Sequence, residues 1–109
     1  MNDPRRKKLK DIQEEIKSIM GDAEALKEKV EELKDKIEAV RDEEESAYDN
    51  LPESFQEGER GEQMQTAMDA MDNAMSDLDD AYNSIESCMS EIEDSLDNAV
   101  ENLQEAIDA

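Results

Sequence analysis

Histidine and tryptophan are absent from this chain, and phenylalanine and cysteine occur once each, at Phe55 and Cys88. Without histidine there is no imidazole base and no imidazole metal ligand. A lone cysteine excludes an internal disulfide and fits a reducing compartment. With aromatics at 3%, a globule filled by large rings is out of reach. Apolar runs are short as well: nothing approaches the roughly 18 residues needed to cross a bilayer. The opening Met1-Asn2-Asp3-Pro4, followed by Arg5-Arg6-Lys7-Lys8, lacks the apolar stretch of a signal peptide. The expectation is a soluble, cytoplasmic protein.

Positive charge is the next scarcity. Twelve Lys and Arg stand against 33 Asp and Glu, a formal net charge of −21. That disfavours DNA, RNA and anionic lipid as ligands, because phosphate binding rests on Lys and Arg releasing counterions. A basic protein surface is the natural complement.

What the chain does have is periodicity. At 41% charged residues the composition alone would allow disorder. Apolar residues nevertheless recur at Leu9, Ile12, Ile16, Ile19, Ala23, Leu26, Val30, Leu33, Ile37 and Val40, alternating steps of three and four. This is a heptad seam with Leu9 at a and Ile12 at d. Asn2 or Asp3 can cap its start, with Pro4 at the first helical position. Gly21 falls on the outer f position, where it harms no packing. Pro52, Gly58 and Gly61 then break the pattern, with a short helical turn expected around Phe55.

From Met64 the repeat resumes. With Met68, Met75, Tyr82, Met89, Leu96 and Leu103 at a, the d column runs Met64, Met71, Leu78, Ile85, Ile92. The g column is small throughout, from Ala67, Ala74 and Ala81 to Cys88 and Ser95, so another helix could approach closely. Cys88 is expected to be packed there, and the methionines of the seam to fill core rather than a binding groove. The expected fold is all-α: a long antiparallel two-helix coiled-coil hairpin, one domain over 1–109. Helix one covers about 4–48, the connection about 49–61 and helix two about 62–108. Two such hairpins are expected to dimerise into a four-helix bundle, because one alone buries little.

Charge supplies a register. In an antiparallel pair the e columns face one another, which sets Arg41 against Asp72, Lys34 against Asp79 and Lys27 against Glu86. Such pairs are individually weak and serve orientation. The basic opening would lie beside Glu101, Glu105 and Asp108 and be neutralised in cis.

The remaining acids are segregated. From Gly61 to Ala109 there is no Lys or Arg, against 14 carboxylates. Asp69, Asp77, Asp80, Glu91, Asp94, Asp97, Glu101 and Glu105 fall on outer b, c and f positions as an uncompensated ridge. Acids on an outer helix face often do no more than solubilise. Carboxylates along a helix also resemble a row of phosphates, and the ridge could occupy a basic nucleic-acid channel. No nucleophile–base pair, calcium loop or Gly-rich phosphate loop is present, and a two-helix rod offers no concave pocket. No enzyme activity, cofactor or metal is expected.

The connection is distinctive. Ala47-Tyr48-Asp49-Asn50-Leu51-Pro52-Glu53-Ser54-Phe55-Gln56, with Glu59-Arg60-Gly61-Glu62-Gln63-Met64 after it, resembles the turn of small acidic coiled-coil accessory proteins of bacteriophages and prophages. Tyr48, Leu51, Pro52, Phe55 and Arg60 carry that likeness. It implies a protein acting in the cytoplasm of a bacterial host cell, but no mechanism. A weaker likeness, to secreted helical hairpins with a Trp-x-Gly turn, fails for want of a tryptophan. The functional expectation is an inhibitor or modulator that sets its acidic ridge on a host or defence nucleic-acid-binding protein, as a nucleic-acid mimic. The alternative is a structural or adaptor coiled coil whose acids only solubilise.

Overall fold

The structure is a computed structural model describing residues 1–109. It is 93% helical, with no strand. Three helices follow in order: α1 over Asp3–Asp49, α2 over Glu53–Gln56 and α3 over Glu59–Asp108. Asn2 caps α1, its Oδ1 accepting the Arg5 N–H at 3.0 Å. Pro4 therefore sits one residue later than expected, where its missing N–H still costs nothing. The short turn at Phe55 is α2. The second long helix begins at Glu59 rather than near 62, so Gly61 lies inside it; Glu59 and Glu62 complement the positive end of its dipole.

Contacts group into two units. One comprises Met1–Lys27 with Ser84–Ala109, the other Glu28–Asn83. In the first, Arg6 meets Ile107 and Gln13 meets Val100; seven residues forward on α1 is seven back on α3, so the segments are antiparallel. In the second, Lys34 meets Asp79 and Arg41 meets Asp72, with the same step and sense.

Packing differs from the a/d seam that the spacing suggests. On α1 the covered columns are a (Leu9, Ile16, Ala23, Val30, Ile37) and e (Gln13, Met20, Lys27, Lys34, Arg41, Tyr48). The d column is left out: Ile12, Ile19, Leu26, Leu33 and Val40 are each between 41% and 53% exposed. The long e side chains explain the shift. Gln13, Lys34 and Arg41 lay their stems along α3 while their polar ends find partners there, and that turns d outward. Only Met68 and Ile107 are buried apolar residues. Met64, Met71, Met75 and Met89 are half-buried.

Candidate functional site

Both long helices end without a basic residue in the last turn, so their terminal carbonyls need donors from elsewhere. For α1 the donor is Gln56, whose Nε2 donates to the Tyr48 carbonyl at 2.9 Å and the Leu51 carbonyl at 3.2 Å. The Pro52 carbonyl in turn accepts the N–H groups of Phe55 and Gln56. Gly61 completes this closure. A Cβ there would overlap the Gln56 backbone, 2.5 Å from its carbonyl carbon, so glycine is required by close approach rather than by an unusual φ. Tyr48 and Leu51 are half-buried; Pro52 and Arg60 are exposed, and Phe55 is 56% exposed. Gln56 and Gly61 thus hold the turn, alongside the residues that looked distinctive in it. A glycine inside a helical pattern was the available signal for Gly61.

For α3 the donor is Arg6, whose Nε donates to the Ile107 carbonyl at 3.0 Å. Its salt bridge runs to Asp3, 3.1 Å away. The basic opening thus meets the end of α3 through a carbonyl, beside Asp108. Gln13, the one buried polar side chain, donates to the Val100 carbonyl at 3.0 Å and to Gln104 Oε1 at 3.2 Å. A buried amide satisfied only in one alignment sets register.

Of the residues expected to pair across the helices, the structure brings together Lys34 Nζ with Asp79 Oδ1 at 2.8 Å and Arg41 Nε with Asp72 Oδ1 at 3.0 Å. Arg41 also pairs with Glu45 on its own helix. The hydrogen bond to Asp79 raises the Lys34 ammonium above its ordinary 10.5, outweighing partial desolvation. The Asp72 hydrogen bond likewise raises Arg41. Lys27 is half-buried and lies 3.6 Å from Glu24 of its own helix; Glu86 is exposed.

All eight ridge carboxylates are exposed. Asp69, Asp77 and Asp80 belong to the second unit, and Glu91, Asp94, Asp97, Glu101 and Glu105 to the first. The acids used between helices, Asp72 and Asp79, are not among them. No group of three or more carboxylates and thiols converges to hold a metal ion.

Two expectations are corrected. Cys88 is a free, exposed thiol, because the g column lies at the edge of α3 away from α1. Concave ground also exists. Leu33, Ile37, Val40, Met71 and Leu78, with Lys36 at the rim, line an open apolar groove of about 480 Å³ within the second unit. A smaller hollow of about 350 Å³ lies by the turn, between Glu44, Ala47, Arg60, Gln63 and Met64. No helix is long and apolar enough to cross a membrane. Comparison with protein-family models, curated proteins and solved structures finds no match.

Proposed function

We propose that this chain is a non-catalytic binding protein whose acidic α3 face docks on a basic, nucleic-acid-binding surface of a host or defence protein, as a nucleic-acid mimic. The turn likeness sets this in the cytoplasm of a bacterium carrying a phage or prophage. The reading rests on one observation: eight exposed carboxylates, outside the interhelical pairs, on a helix with no Lys or Arg beyond Arg60. Solubility does not require one sign of charge, since mixed charge solubilises without self-repulsion. A one-sign face attracts a complementary face, and charged partners associate faster and more tightly at low salt.

Changing Asp77, Asp80, Asp94 and Asp97 to Asn tests this while sparing both the covered columns and the ion pairs. Bacterial nucleic-acid-binding proteins, purified on heparin and loaded with labelled duplex DNA, should release that DNA when the native protein is added. The quadruple variant should release little, and release should fall steeply as salt rises. Equal release by the variant sinks the mimic.

The exposed d column favours a second reading, an adaptor coiled coil held by apolar packing. The two are compatible if the chain self-associates, two copies forming a four-helix bundle with the acids outside. Binding that survives high salt would leave the adaptor alone.

A further inference from the structure

The exposed d column of α1 poses a plain question: what covers it? The chain exposes 7795 Å², whereas a folded monomer of 12.4 kDa exposes about 6,100 Å². The excess, roughly 1,700 Å², is of the order that one chain buries in an extensive homodimer. With Met68 and Ile107 its only buried apolar side chains, one copy has little core, and a cover that serves the fold must be present whenever the chain is made. A second copy meets that condition.

The flank of the exposed row says how the copy sits. Beside d on α1 runs the g column: Lys8, Glu15, Asp22, Lys29, Lys36, Glu43. All six are exposed. The interhelical ion pairs draw on the e column instead, and the salt bridge of Lys36 is a solvent-exposed one to Glu32, one turn earlier at 3.5 Å. Read along the helix, the g signs run plus, minus, minus, plus, plus, minus. Set antiparallel to itself about Leu26, the column matches Lys8 with Glu43, Glu15 with Lys36 and Asp22 with Lys29. The same alignment lays Ile12 on Val40, Ile19 on Leu33 and Leu26 on itself, so every exposed d residue is used. Sliding by one heptad either way breaks the match. One slide sets Lys8 on Lys36 and Asp22 on Asp22, the other Glu15 on Glu43 and Lys29 on Lys29. Parallel pairing sets g against e and brings Lys29 to Lys34 and Lys36 to Arg41.

We propose that the d and g columns of α1 form a homodimer face on which two copies meet antiparallel about Leu26. This rests on the self-association proposed above and adds its face and register. The groove of Leu33, Ile37, Val40, Met71 and Leu78 then receives the row of the second copy. The acidic columns of α3 stay at the periphery, away from this face.

Charge exchange tests the register. Lys29→Glu with Lys36→Glu makes g acidic at all four central positions, and Glu15→Lys with Asp22→Lys makes it basic there. Each double variant alone should self-associate roughly ten- to a hundred-fold more weakly than the native chain by sedimentation. An equimolar mixture should recover native affinity as a heterodimer. In a Cys88→Ser background, Ile12→Cys alone should not oxidise to a dimer, whereas Ile12→Cys mixed with Val40→Cys should. A native chain that stays monomeric to its solubility limit overturns self-association altogether. A native dimer whose variants do not rescue one another, or a disulfide in Ile12→Cys alone, overturns the register and leaves self-association standing.

Discussion

The unit of Met1–Lys27 with Ser84–Ala109 and the unit of Glu28–Asn83 hold the same two helices in register by different chemistry. The first uses an amide and a guanidinium on main-chain carbonyls: Gln13 on Val100, with Gln104 beside it, and Arg6 on Ile107. The second uses ion pairs, Lys34 with Asp79 and Arg41 with Asp72, and a closed turn. Charge density differs too. The second unit has five Lys and Arg against 19 Asp and Glu, the first seven against 14, so the nets are −14 and −7. Register set by a buried amide is indifferent to salt, and register set by half-exposed ions is not. One chain therefore carries two kinds of alignment signal with different sensitivity to its surroundings.

Glycine offers the sharpest way to break the comparison. Gly61→Ala in the second unit forces a Cβ into the Gln56 backbone and should cost about 3 kcal/mol, the upper range for overpacking. The same change at Gly21, in the first unit, meets nothing within 4 Å. It should add up to about 1 kcal/mol through helix propensity. Urea denaturation of the two variants should move the midpoint in opposite directions; a shared direction would mean the turn is not under that constraint.

Next in size is Gln13→Ala. Removing a buried amide with two acceptors should cost about 1–2 kcal/mol, and the loss should be the same in low salt and in 1 M NaCl. Lys34→Gln and Arg41→Gln should cost less, and their loss should vanish in 1 M NaCl. If all three variants respond alike to salt, the distinction between the units fails.

The smallest effect is alkaline. Lys34 is raised in the folded chain, so its stabilisation is complete below the unfolded value of about 10.5 and fades as pH climbs through the higher folded value. The midpoint difference between native protein and Lys34→Gln should hold from pH 7 to 10 and shrink by pH 11. The Arg41→Gln difference should persist at pH 11, because guanidinium keeps its proton there. Parallel curves would place the Lys34 contribution outside its ion pair.

Heptad spacing made both long helices legible, because a period depends on residue type at fixed intervals and on little else, and the break at Pro52, Gly58 and Gly61 marked the short turn at Phe55. It could not say which two columns of α1 would be covered. Columns a and d are the more apolar, yet the stems and polar ends of Gln13, Lys34 and Arg41 draw e inward, an outcome that depends on partners across the interface. The start of α3 at Glu59, before Gly61, has a related reason. Gly61 reads as a breaker by composition, whereas its place is decided by the backbone that presses on it. Exposure of the acidic ridge was readable from its outer positions. Whether it has a partner was not, since a carboxylate on a helix surface looks the same whether it meets water or an arginine.

The closed turn has a consequence for how copies of this chain exchange parts. Antiparallel helix pairs joined by a pliable connection can open, merge their helices and trade halves with a neighbour. Here merging α1 into α3 would strip Gln56 from the Tyr48 and Leu51 carbonyls and set Pro52 inside a helix, where its ring clashes with the preceding turn. The second unit is thereby guarded against domain swapping, and any pairing of copies must use the outer faces of intact helix pairs.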